Sequence, residues 1–207
     1  MSVTPAPATK KVNLRTPEVM EAVQAQVEKH YRSHAVEYVR ATGLPLVAKD
    51  MTVVLAKAFG FCYGVERAID LAYAAAKVFK DKRIFLLGEI IHNPEVNDQL
   101  REMGIQSLKR GPKGYDLSGL TAEDVEIVPA FGAEVETMDH LKKLGCQTVD
   151  TTCGDVMSVW KRVRQYNKER VTSIIHGKAS HEETMATSSR ALSGDGLGHY
   201  LVVYNLG

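Results

Sequence analysis

From Met51 onward, short apolar runs of strand-forming residues alternate with longer helical runs, and this alternation restricts the fold more than any other feature of the chain. A parallel pair of strands needs a crossover of about a dozen residues or more, and a helix is the usual way to make it. The pattern predicts strands over 52–56, 83–87, 125–130, 147–150, 171–175 and 200–204. Helices are predicted over 65–79, 94–103, 133–144, 156–168 and 183–190. A polar insert punctuated by Gly111-Pro112 and Gly114 separates the second of these helices from the third strand. The expected fold class is α/β, with repeated βα units around mostly parallel sheets.

A helical extension precedes this region. Residues 1–15 read as a polar tail. Thr16-Pro17-Glu18 then opens a helix, with Thr as N-cap, Pro at the first helical position and Glu on the positive end of the dipole. Val19, Ala22, Val23, Val27 and Tyr31 supply its apolar stripe, and a second helical run through Ala35, Tyr38 and Val39 stops at Gly43 and Pro45. The expected organisation is a tail and docking extension over 1–50, a first α/β unit over 51–145 and a second over 146–207. The second unit reads as incomplete, because a helix should follow the last strand.

Charge and cysteine content exclude several classes of function. Lys+Arg number 26 and Asp+Glu 25, so no global basic field invites nucleic acid. No apolar run approaches the roughly 18 residues of a membrane span. Three cysteines, Cys62, Cys146 and Cys153, without a secretory signal point to a reducing compartment rather than a disulfide scaffold. A bacterial cytoplasm is expected. A plastid is the alternative, since Ser2, Thr4, Thr9, Lys10, Lys11 and Arg15 precede the first acidic residue, Glu18.

In open parallel sheets, ligands bind beyond the carboxyl ends of the strands. The residues after five successive predicted strands are Gly60-Phe61-Cys62-Tyr63-Gly64, Glu89–Pro94, Phe131-Gly132-Ala133, Thr151-Thr152-Cys153-Gly154 and a His176–Glu183 loop. If these strands share one sheet edge, their Cys, His, Gly and acidic residues converge. Cys62 and Cys153 would both stand at helix N-termini, where an anionic sulfur is stabilised. Two such thiolates suit a soft metal or an iron–sulfur cluster, although either alone could be a buried structural thiol. Cys146 precedes its strand and reads as structural.

His92 and His181 lie in loops where imidazoles and helix N–H groups could hold an anion such as phosphate. Glu183 is a candidate acid or base, against the plainer reading of a carboxylate at a helix start. Lys178 reads as solvated. A zinc-protease motif is absent, because no His follows His181-Glu182 at helical spacing, and so are a CxxC pair and a GxxxxGK[ST] loop.

Four segments together resemble 4-hydroxy-3-methylbut-2-enyl diphosphate reductases. They are AFGFCYGVERA around Cys62, EIIHNP around His92, DTTC ending at Cys153, and HGKASHEETMAT, which carries His181 and Glu183. They occur in the family's order, and the helical extension is similar to its plant and cyanobacterial branch. The resemblance implies a [4Fe–4S] cluster on three cysteines, two of them Cys62 and Cys153, and a diphosphate held by His92 and His181. It implies Glu183 as proton relay and ferredoxin or flavodoxin as electron donor. The reaction implied is two-electron removal of a hydroxyl, giving isopentenyl and dimethylallyl diphosphate, with no nucleic acid or membrane as partner. The fold implied is two of three repeated α/β units.

This chain departs from that pattern. Phe131 stands where shorter bacterial members carry His, and Gly154 replaces a common Pro. The third cluster Cys, a Ser/Asn diphosphate motif and an assisting Thr belong beyond the position of Gly207. An inactive fragment is therefore expected. A non-catalytic diphosphate- or metal-binding module is the alternative, and a zinc site built on Cys62, Cys153 and a His is a third reading.

Overall fold

The computed structural model describes residues 12–194 and 197–205. The expected tail therefore lies outside the described residues as far as residue 11. Two capped helices come first. Thr16 Oγ1 accepts the Val19 N–H at 3.4 Å to start α1 (Pro17–Tyr31), and Ser33 Oγ accepts the Val36 N–H at 3.4 Å to start α2 (His34–Thr42). Gly43, at φ 68, ends α2 and returns its N–H to Val39 O at 2.9 Å. The Thr16 and Gly43 caps are the ones the sequence predicts. α1 packs on α3 (Tyr63–Val78) through Val23 and a hydrogen bond of 2.8 Å between His30 Nδ1 and the buried Tyr73 hydroxyl.

Between α2 and α3, β1 (Leu46–Ala48) and β2 (Met51–Val53) form an antiparallel hairpin around Lys49 and Asp50. The remaining elements are β3 (Ile84–Leu87), α4 (Pro94–Glu102), β4 (Ile105–Leu108), β5 (Arg110–Gly111), β6 (Gly114–Tyr115) and β7 (Val125–Val128). α5 (Val135–Leu144), β8 (Gln147–Asp150), α6 (Gly154–Lys168), β9 (Ser173–His176), α7 (Glu182–Ala191) and β10 (Tyr200–Val203) complete the described chain. The architecture is the expected α/β one with an N-terminal helical extension.

A parallel sheet in the order β4-β3-β7-β8 forms the centre. β3 and β7 are buried along their whole length, as parallel strands covered on both faces should be. Arg83 and Asp124, just before these two strands, form a bidentate pair at 2.8 and 2.6 Å that aligns their starts.

Two expectations need correction. Of the predicted strand over 52–56 only Thr52 and Val53 pair, and they pair with β1 rather than with the sheet. A two-residue turn makes local pairing easier to reach than a distant sheet edge. The five strand ends also do not share one sheet. β3, β7 and β8 do, whereas β9 pairs in parallel with β10 in a separate two-stranded sheet. In addition, the polar insert contains an edge strand, β4, in which only Ile105 is buried; its solvated face hid the apolar signal.

Glu126 lies in the middle of β7 at 0% exposure, and neither carboxylate oxygen has a hydrogen-bond partner among the described residues. Burial, reinforced by the nearby Asp124 charge, pushes its carboxyl up to about 8. The folded state thus binds a proton that the unfolded chain releases near 4.5. The stability it contributes is complete below about 4.5 and is lost as pH rises through about 8. Glu126→Gln keeps the neutral shape. Thermal unfolding should show the wild-type midpoint falling from pH 5 to pH 8, and the variant should lack that part of the fall. Parallel curves for the two proteins would show that Glu126 is not held protonated.

Candidate functional site

The loops after β3, β7 and β8 are stitched to one another beyond the strands themselves. Ala130 N donates to Ile90 O at 3.2 Å, Thr151 N to Val128 O at 3.1 Å, and Cys153 N to Ala130 O at 3.0 Å. The parallel ladder therefore continues into the loops that carry His92, Phe131 and Cys153.

Cys153 is the N-cap of α6 and Cys62 the N-cap of α3, and neither sulfur makes a capping hydrogen bond. The two caps meet through Gly64. A Cβ built on Gly64 would lie 2.5 Å from Cys153 Sγ, so the half-buried sulfur rests on bare backbone within the helical turn that follows Cys62, which is exposed. Arg67 of α3 donates to Thr152 O at 3.2 Å and holds the same junction. Asp150 Oδ1 accepts from Thr152 N at 2.9 Å, which fixes the turn before Cys153. The neighbouring Asp155 carboxyl, followed by burial and the Cys153 thiol, pushes the Tyr63 hydroxyl up to about 12. Cys146 is buried in a separate core cluster with Leu141 and Val128.

His92 and His181 face each other with Nε2 atoms 3.1 Å apart. A backbone N–H can only donate, so His181 Nδ1 accepts from Glu183 N at 3.2 Å. A neutral His181 then carries its proton on Nε2 and donates it to His92 Nε2. His92 in turn keeps its proton on Nδ1 and donates to Glu89 Oε2 at 3.0 Å. Glu182 Oε2 lies 3.6 Å from His92 Nε2, and a ligand atom from each of His92, His181 and Glu182 falls within 4.8 Å of the others. Glu183 sits in the first turn of α7 and, with His176, Lys178, Thr184 and Thr187, lines a cavity of about 380 Å³.

α7 delivers His181 to this place although its strand belongs to another sheet. The Trp160 indole N–H of α6 donates to Thr187 Oγ1 at 3.1 Å, and Ser189 Oγ accepts from Val135 N at 3.1 Å. Arg190 lies 3.6 Å over the Trp160 ring and donates to Ala133 O. Burial lowers its guanidinium to about 10.

The structure thus joins His92 with His181, sets Glu183 at the same loop, and brings the Cys153 and Cys62 caps together through Gly64. Sequence reasoning placed Glu89, Tyr63, Arg67 and Glu182 in the right loops and motifs but gave none of them a role. Glu89 stands three residues before His92 in a turn without helical periodicity, and the other contacts cross between elements. Asp150-Thr151-Thr152 did carry a turn signal.

The fold and site define a class, a parallel α/β protein with cysteine and histidine loops at one sheet edge. The LytB protein family model matches residues 53–204, and the chain belongs to that family. It is 47% identical over 186 residues to the 4-hydroxy-3-methylbut-2-enyl diphosphate reductases of Parasynechococcus marenigrum (strain WH8102) and Thermosynechococcus vestitus (strain NIES-2133 / IAM M-273 / BP-1). Those alignments take in 90% of this chain and 45% of each relative, so the chain spans less than half their length. A solved (E)-4-hydroxy-3-methyl-but-2-enyl diphosphate reductase superposes with a TM-score of 0.61 at 29% identity, covering 74% of this chain and 51% of the other. The Plasmodium falciparum E-1-hydroxy-2-methyl-but-2-enyl-4-diphosphate reductase gives 0.64 at 27% identity, covering 72% and 43%.

Gly64 supplies a direct test of the cysteine junction. Gly→Ala inside a helix ordinarily stabilises by up to about 1 kcal/mol. Here the added methyl meets Cys153 Sγ, so Gly64→Ala should instead destabilise by about 1–3 kcal/mol in denaturant unfolding. A more stable Gly64→Ala protein would mean the two caps are not in contact.

Proposed function

We propose that the chain contributes the first cysteine ligands and the diphosphate-binding histidines of a 4-hydroxy-3-methylbut-2-enyl diphosphate reductase. The observation that carries this reading is the histidine pair, with its Nε2 atoms 3.1 Å apart on loops beside the Cys153 cap. The reaction is reductive dehydroxylation: the allylic C–O bond breaks, two electrons and two protons enter, and water leaves. Isopentenyl and dimethylallyl diphosphate are the products. A ferredoxin or flavodoxin supplies the electrons.

The donor set fits an iron–sulfur cluster, since Cys62 and Cys153 offer soft sulfur ligands that no capping hydrogen bond engages. They would be two of its three protein ligands. When bound, a cluster with an open iron supplies electrons and a Lewis-acidic contact for the substrate hydroxyl. The chain's own residues hold and protonate the substrate. For both Nε2 atoms to donate to phosphate oxygens, His92 takes up a second proton, and Glu89 at Nδ1 stabilises the resulting imidazolium. His181 already presents an Nε2–H in its required tautomer. Glu183, on the cavity wall beside His181, delivers a proton to the carbon skeleton or to the leaving oxygen.

The test uses the protein extended to the length of its relatives and purified anaerobically. Cys62→Ala and Cys153→Ala should each remove both the cluster absorbance and the reductase activity. Glu183→Gln should keep the absorbance and lower turnover roughly 100-fold or more. Normal turnover in Glu183→Gln would exclude the proton relay, and an intact cluster in both cysteine variants would exclude the ligand assignment.

A further inference from the structure

We propose that Phe131 is a positioning residue for the histidine pair, its ring forming the wall against which both imidazoles are set. The His92 ring stacks on Phe131 with centroids 4.4 Å apart and planes 27° apart, while His181 meets the same ring edge-on at 5.4 Å and 73°. His92 and His181 are themselves edge to face at 5.0 Å and 80°. Three rings therefore close one triangle, and Phe131 is its only member without a hydrogen-bonding role. The proposal rests on the diphosphate reading for its consequence, though not for its geometry.

Phe131 is the anchored corner of the triangle. Its ring packs against the main hydrophobic core. The backbone on either side is fixed, with Ala130 bonded to Ile90 and Cys153 and with Gly132 N donating to Pro129 O at 2.9 Å. Gly132 takes φ +78, and the Trp160 ring fills the space where a Cβ would stand, so the turn has little room to shift. The histidines, by contrast, sit on surface loops, and the His92 side chain is 46% exposed. An exposed imidazole free to change rotamer would lose the Nε2-to-Nε2 alignment. A stacked aromatic wall holds the ring plane from its face, so an incoming anion has only to replace the hydrogen bond between the two Nε2 atoms. The contact suits a neutral imidazole by offset stacking and an imidazolium by cation–π attraction, so it persists when phosphate charge arrives.

The test uses the whole chain with nitrogen-labelled histidine. In the wild type, ring nitrogen shifts should report Nδ1–H on His92 and Nε2–H on His181. Phe131→Leu, which keeps an apolar filler, should leave the thermal midpoint and backbone spectrum close to wild type. It should also average both tautomers and weaken the binding of inorganic diphosphate roughly tenfold. Phe131→Tyr should retain wild-type tautomers and affinity. Phe131→Met serves as the second non-aromatic replacement if Leu disturbs the fold. Wild-type tautomers and affinity in a folded Leu or Met variant would overturn the proposal. If the wild-type chain ignored inorganic diphosphate while the Leu variant still lost its fixed tautomers, the diphosphate reading would fall and the positioning role would stand.

Discussion

The hydrogen-bond ladder that runs from β3 across β7 to β8 and continues past the strand ends is the constraint on which the site depends. Parallel pairing puts all three carboxyl ends at the same edge, and the bonds Ala130 to Ile90 and Cys153 to Ala130 carry that alignment into the loops. Without them the histidine of one loop and the cysteine of another would be independent surface features. With them, a displacement of the β7 loop moves the environment of His92 and Cys153 together.

The second sheet is joined to this edge by side chains rather than by strand pairing. Trp160, Thr187, Arg190 and Ser189 tie α7 to α6 and to the β7–α5 loop. Among the described residues Arg190 has no carboxylate in hydrogen-bond contact, and its burial costs free energy that backbone carbonyls and the indole face offset. The arrangement explains how His181, from a strand outside the main sheet, reaches His92. It also makes α7 the element through which the two sheets share one site.

Much of the architecture was legible in the chain. The caps at Thr16 and Gly43, the helices after Cys62 and Cys153, and β8 over 147–150 follow from propensity and capping rules that act within a few residues. The hairpin of β1 and β2 and the edge strand β4 were not, because both are short and solvated and give no apolar period. Within the site, the types and loop positions of His92, His181, Glu183, Cys62 and Cys153 could be picked out. Glu89, Phe131 and Gly64 lay in the same loops, but their contacts could not be read, since each depends on a ring or sulfur brought to it by the fold.

The sequence alone determined the alternation of strands and helices, the caps at Thr16 and Gly43, and which loops carry sulfur, imidazole and carboxylate. These depend on local backbone preference and side-chain chemistry, which a linear pattern records. The tertiary structure decided which strand ends share a sheet and that His92 and His181 meet at Nε2. It also decided that Cys153 rests on Gly64 and that one phenyl ring touches both imidazoles. These depend on pairing and packing between segments as many as 89 residues apart, where the free energy belongs to contacts no local pattern encodes.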